Sequence, residues 1–180
     1  MSNETGERLA AVTYLPGVER DRHTETGIER DERIDRLVVA RLRRSSLSVS
    51  EVRSVLGEHG LPADEIDEWI ERYERLGYLN DVRLAEQVVH KASSRRGFGS
   101  GALRSELRRR GIDRDLAAEA VDALDGDAER ANAAEVAERR ARQLLGLDRA
   151  TAERRLSAFL MRRGYSGDVI REAVASALPR

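Results

Sequence analysis

Leu103-Arg104-Ser105-Glu106-Leu107-Arg108-Arg109-Arg110-Gly111-Ile112 sets two leucines four residues apart, a glycine four residues later and an apolar residue after it. The same spelling occurs twice more. Val52-x-x-x-Leu56-x-x-x-Gly60-Leu61 precedes it and Leu156-x-x-x-Leu160-x-x-x-Gly164-Tyr165 follows it, so the three glycines stand 51 and 53 residues apart. Apolar residues spaced by four lie on one face of a helix. A glycine at the end of such a face stops the helix, because it takes the left-handed conformation that closes the last turn. Each copy is followed by a second amphipathic stretch: Ile66 and Ile70, then Leu116, Val121 and Leu124, then Val169, Val174 and Leu178. Self-similarity at this period marks an array of helical units that bury their faces by docking on their neighbours.

Working outward, every segment from Ile34 onward has helical spacing, and no alternating strand pattern occurs. Ile34, Leu37, Val38 and Leu42 make one face. Ser48-Val49-Ser50-Glu51 is a Ser-x-x-Glu capping box for the next helix. Pro62 suits the first turn of a third helix, with Asp64, Glu65, Asp67 and Glu68 favourable at its positive end. Ile66, Trp69, Ile70, Tyr73 and Leu76 form its expected buried stripe. The expected fold is all-α: three tandem three-helix repeats, nine helices in all, in an elongated and curved array. The expected boundaries are a disordered N-terminal tail at 1–32, too polar to offset the entropy of ordering it, and repeats at 33–80, 81–126 and 127–180. The third repeat opens with a longer helix from Ala128 to about Leu145. The joints Gly77-Tyr78-Leu79-Asn80 and Asp125-Gly126-Asp127 are short, which predicts docked rather than independent units. Asn80 and Asp81 read as a helix cap at the first joint. Gly60, Gly77, Gly111 and Gly164 read as structural stops.

Composition narrows the function classes. The 180 residues contain no Cys, which excludes disulfides, thiolate nucleophiles and Cys-ligated metals. Charged residues make up 36% with a formal net charge of −1, which argues against a bulk polycation. Lys91 is the sole lysine beside 31 arginines, a bias that a GC-rich genome alone would produce. No stretch approaches the about 20 apolar residues that span a bilayer, and no signal-peptide core opens the chain, so a cytoplasmic, non-membrane protein is expected. His23, His59 and His90 are scattered without a partner at i+4, so no metal site is expected. Gly97-Phe98-Gly99-Ser100-Gly101 follows no strand and lacks the Gly-Lys-Ser/Thr of a phosphate loop. It reads as a flexible turn, with Ser100 capping a helix that starts near Ala102. With no acid/base constellation, neither catalytic residues nor a cofactor is expected.

Charge placement is more informative. From Arg95 to Arg114 there are seven arginines against Glu106 and Asp113, and from Glu138 to Arg163 eight arginines against three acids. Asp64 to Arg75 nets −4, and Asp115 to Glu129 holds six acids and no base. Solvated faces with pairing between neighbouring helices account for such alternation as well as a partner surface does. Arg104, Arg108, Arg109 and Arg110 in the second unit, with Arg162 and Arg163 in the third, are the candidate contacts on charge density. Trp69 and Tyr73 belong to the core rather than to a stacking surface.

Four stretches, in order, resemble the RecX family of recombination regulators. Gly77-Tyr78-Leu79-Asn80-Asp81-Val82-Arg83-Leu84-Ala85 is similar to its G-[FY]-[LI]-[ND]-D-x-x-[FYL]-A segment. Leu42-Arg43-Arg44-Ser45 to Ser50-Glu51-Val52 looks like its opening. Leu103 to Ile112 looks like its Arg-rich middle, and Phe159-Leu160-Met161-Arg162-Arg163-Gly164-Tyr165 like its F-L-x-R-R-G-[FY] ending. The resemblance covers about residues 34–178 and implies three three-helix units. It also implies a non-enzymatic protein that binds filaments of the RecA recombinase on single-stranded DNA, in the groove or at the growing end, and inhibits ATP hydrolysis and strand exchange; a monomer is expected. Such a role places it in DNA repair, homologous recombination and the SOS response. Two other readings stay open: a helical module with weak, salt-sensitive affinity for single- or double-stranded DNA, and a protein-interaction scaffold unrelated to recombination.

Overall fold

In the computed structural model, which describes residues 27–178, nine α-helices follow one another and no strand occurs among the described residues. The first three are α1 (Gly27–Arg44), α2 (Val49–Glu58) and α3 (Ala63–Arg75). Next come α4 (Asp81–Arg96), α5 (Ser100–Arg109) and α6 (Arg114–Asp122). The last three are α7 (Gly126–Ala141), extended by a 3₁₀ turn (Arg142–Leu144), then α8 (Arg149–Arg162) and α9 (Gly167–Ala177).

Each triplet closes on its own core. Ile34, Val38, Val52, Leu56, Trp69 and Tyr73 pack in the first. Leu84, Ala85, Leu103, Leu107 and Val121 pack in the second, and Ala137, Leu156, Leu160, Ile170 and Val174 in the third. The repeated spelling has a repeated geometry. In each unit the second helix ends in a glycine with positive φ, and the next N–H reaches back to the leucine five residues earlier: Leu61 to Leu56, Ile112 to Leu107, Tyr165 to Leu160. Leu61, Ile112 and Tyr165 are all buried, which completes the helix-stop motif with its apolar contact.

Several details differ from the sequence expectations. Helix α1 begins at Gly27, so residues 27–32 belong to a helix rather than to a tail starting the first unit at 33. An ion pair between Arg30 and Glu65 of α3 (2.7 Å) holds its first turns. The rest of the expected tail, 1–26, lies outside the described residues, as does His23. Leu76 leaves the predicted stripe: it caps α3 and is 57% exposed, because the chain turns at Gly77 before another helical turn can bring it inward. Pro62 precedes α3 as its cap rather than opening its first turn. Ser100 is the first residue of α5, and Gly99 holds the cap position without a side-chain hydrogen bond. The capping box at Ser48 is present in full.

The units dock by one rule used twice. At the first joint the C-terminal turn of α5 sits on the N-terminus of α2. Ser48 donates its hydroxyl to the Arg110 carbonyl (2.6 Å), and the Val49 N–H donates to Asp81 of α4 (3.0 Å). At the second joint the C-terminal turn of α8 sits on the N-terminus of α5. Gly99 and Gly101 donate backbone N–H groups to the carbonyls of Arg163 (2.8 Å) and Gly164 (2.9 Å), and the Ser100 N–H donates to Glu129 of α7 (2.8 Å). In both joints a carboxylate from the following unit's first helix meets the positive end of a helix dipole. Asp81 therefore reaches across the joint, while Asn80 alone caps α4 through the Arg83 N–H.

Candidate partner-binding surface

Helix α5 turns its leucines inward, which forces its arginines onto three other directions. Arg104 and Arg108, four apart, stand on the edge facing α6. Arg104 pairs with Asp122 of α6 (2.5 Å), and the Arg108 guanidinium donates to the Ser105 hydroxyl (3.3 Å). Arg109 points outward, 72% exposed, with Glu106 one turn back at 2.7 Å. Arg110 turns the other way, into the first joint. Its guanidinium grips Glu51 with two hydrogen bonds (3.0 and 2.6 Å) and the Ser46 carbonyl with a third (2.7 Å). Burial alone would raise the Glu51 carboxyl, but hydrogen bonds from Arg110 and the Ser48 N–H outweigh it and hold the group below the usual carboxylate range. The same hydrogen bonding raises Arg110 further.

In the third unit Arg162 lies exposed at the end of α8, next to Met161, which is 67% exposed. Arg163 is turned inward: its guanidinium donates to the carbonyls of Arg96 and Gly97 and lies over the Phe159 ring at 4.8 Å. Of the six candidate arginines, Arg110 and Arg163 therefore occupy equivalent places in the two joints, one unit apart, and satisfy protein carbonyls or carboxylates. Arg104, Arg108, Arg109 and Arg162 present guanidinium groups at the surface. Gly60, Gly111 and Gly164 are the three helix stops, and Gly77 ends α3 with positive φ. Trp69 and Tyr73 are core residues.

Two clefts flank α5. One, about 460 Å³, lies between α5 and α6 and is lined by Arg104, Arg108, Ile112, Arg114, Ala117 and Ala118. The other, about 260 Å³, lies between α4 and α5, where Lys91, Arg95 and Arg96 join Glu106 and Arg110. Arg114, Lys91, Arg95 and Arg96 are not among the candidate contacts chosen on charge density, although Arg95 and Arg114 bound the Arg-rich span. Arg114 sits within the Arg-rich span, but only the reversal at Gly111 brings it opposite Arg104 and Arg108. Lys91 and Arg95 were detectable as an i, i+4 cationic pair. No cluster of metal-ligating side chains occurs among the described residues, and none of their helices is long and apolar enough to cross a membrane.

Comparison with known proteins shows the family of the chain. Residues 80–121 match the profile of "RecX, second three-helix domain", and residues 127–174 match "RecX, third three-helix domain". The regulatory protein RecX of Mycobacterium ulcerans is 33% identical over 150 residues, 83% of this chain and 87% of that protein. The chain belongs to the RecX family. The regulatory protein RecX of Amycolatopsis mediterranei is 35% identical over 115 residues, 64% of this chain and 66% of that one. The crystal structure of RecX from Lactobacillus salivarius superposes with a TM-score of 0.75 over 83% of this chain and 97% of that chain. At 19% identity it confirms the all-helical RecX fold. The relatives with which this chain aligns are named as regulatory proteins, which supports a regulatory role for a chain of this family.

Proposed function

We propose that this RecX-family chain binds recombinase filaments on single-stranded DNA, along the groove or at the growing end, and inhibits ATP hydrolysis and strand exchange without catalysing a reaction itself. It acts as a monomer in the cytoplasm, in recombination and repair. The observation that supports this reading most is the division of labour among its arginines. Arg110 and Arg163 dock the units to one another, which leaves Arg108, Arg109 and Arg162 facing outward on successive units. An array held at fixed spacing can touch several filament subunits at once, and each further contact forms at high effective concentration. If those contacts fit one subunit arrangement better than the active one, binding shifts the filament toward it.

The test is single-stranded-DNA-dependent ATP hydrolysis by the RecA recombinase, titrated with the chain at several salt concentrations. Inhibition well below one molecule per recombinase monomer is expected; no inhibition with excess chain would overturn the reading. The cleft holding Lys91, Arg95 and Arg96 favours direct DNA binding as a second reading, because clustered cations neutralise phosphates. A steep salt dependence of DNA affinity without recombinase, lost on changing Arg95 and Arg96 to Ala, would favour it.

A further inference from the structure

The cleft between α5 and α6 has a composition that the proposed function does not by itself require. Three arginines form its rim: Arg104 and Arg108 from α5, Arg114 from α6. Its floor is apolar: Ile112 and Ala117 are buried core residues, and Ala118 is half-buried. Arg104 is already engaged, since Asp122 places a carboxylate against it at 2.5 Å, and both side chains are about half exposed or more. The molecule thus holds one carboxylate at the rim of its own cleft.

We infer that this cleft is the docking slot for an acidic protein segment that carries an apolar side chain between carboxylates, with Asp122 as an internal competitor for Arg104. The inference rests on the reading of the chain as a filament regulator and names the chemistry of the partner it grips. Guanidinium groups bind carboxylates through paired, directional hydrogen bonds. An apolar side chain gains by covering the floor, where Ile112 and the two alanines offer no donor. A nucleic-acid backbone fits less well. Its phosphates would use the rim, but pressing a charged, hydrated chain onto an apolar floor costs desolvation that nothing there repays. The neighbouring α4–α5 cleft differs in its lining, where Glu106 stands beside Lys91, Arg95, Arg96 and Arg110.

The Asp122 contact makes the inference testable in the direction of gain. An exposed ion pair is weak, so freeing Arg104 should tighten binding by up to about fivefold, a change that damage to the fold would not produce. The probe is a fluorescein-labelled 12-residue peptide in which glutamates alternate with leucine and phenylalanine, read by fluorescence anisotropy against the full chain. Two comparison probes are the same peptide with serine in place of leucine and phenylalanine, and a 20-nucleotide oligo-dT.

Asp122→Asn should tighten the acidic–apolar peptide, while Arg108→Ala and Ala118→Glu weaken it at least tenfold with unchanged far-UV circular dichroism. The serine peptide should bind at least tenfold more weakly than its apolar counterpart. Peptide affinity indifferent to all three substitutions, or no peptide binding at all, overturns the inference. So does oligo-dT binding more tightly than the peptide and being lost in the same variants, which would make the cleft a nucleic-acid site. Recombinase ATPase measured with the same proteins separates the two readings. Inhibition that survives Ala118→Glu undiminished removes the cleft and leaves the regulator; peptide binding by a wild-type chain that never inhibits removes the regulator and leaves the cleft.

Discussion

Replacing Gly164 by alanine tests the docking rule most directly. Gly164 has φ +83°, and a Cβ built there would land on the backbone nitrogen of Ala102 and 2.7 Å from its Cβ, atoms of the helix that the second joint brings against it. Gly60 is the same stop in the first unit, with φ +80° and nothing within 4 Å of its Cβ position. The pair separates conformation from contact. Both substitutions place an L side chain in the left-handed region, which costs about 1–2 kcal/mol. Only Gly164→Ala must also push α5 away from α8. Overpacking of this kind costs about 1–3 kcal/mol, and it strains the hydrogen bonds from the Gly99 and Gly101 N–H groups, each worth about 1 kcal/mol. Gly164→Ala should therefore destabilise by about 3–5 kcal/mol and Gly60→Ala by about 1–2 kcal/mol. The assay is urea denaturation followed by circular dichroism and by the fluorescence of Trp69, the single tryptophan, which is buried in the core of the first unit. Gly164→Ala should move the dichroism transition further than the fluorescence transition, and Gly60→Ala should do the reverse. Equal losses for the two variants would refute the claim that the glycine turn of one unit is packed against the unit before it.

Other expectations follow from the same geometry. Arg110→Ala and Glu51→Gln, measured singly and together, should show a coupling of about 1–2 kcal/mol in Trp69-monitored unfolding, since the pair is bidentate and mostly shielded from solvent. The Glu51 carboxyl is held below its unfolded value of 4.5, so its contribution is full above that pH and is lost as the pH falls through the folded value. Glu51→Gln should remove that share of the acid-induced loss, while Asp81, raised chiefly by burial, works in the opposite sense. Tyr73→Phe removes the hydroxyl that donates to Asp35 (3.1 Å) and should cost about 0.5–1.5 kcal/mol by the same fluorescence readout. Arg108→Glu with Arg109→Glu should weaken recombinase inhibition at least tenfold with helicity unchanged; inhibition at wild-type strength would move the contact elsewhere.

The glycine cluster Gly97 to Gly101 shows where sequence reading stopped. It reads as a flexible turn because glycines permit many conformations, yet at the second joint the structure sets Gly99 and Gly101 in close approach to the turn after α8. A Cβ on Gly99 would lie 2.7 Å from the Tyr165 ring, and one on Gly101 would lie 3.0 Å from the Gly164 carbonyl oxygen. The need for small residues comes from a partner 63 or more positions away, beyond any local pattern. The arginines divide in the same way. Charge density groups Arg108, Arg109 and Arg110 as equals, but three successive residues on a helix point about 100° apart. One faces the cleft, one faces solvent and one clips the preceding unit.

What the sequence by itself determined is therefore the unit: helices from the four-residue spacing, stops from Gly60, Gly111 and Gly164, and a start from the Ser48 capping box. These are all carried by interactions within a few residues of the chain. What only the tertiary structure decided is how one unit meets the next, which arginines that meeting leaves at the surface, and the cleft that Arg114 closes opposite Arg104 and Arg108. Those outcomes depend on the direction in which each turn sends the following helix, and that direction is set by backbone contacts between residues far apart in sequence.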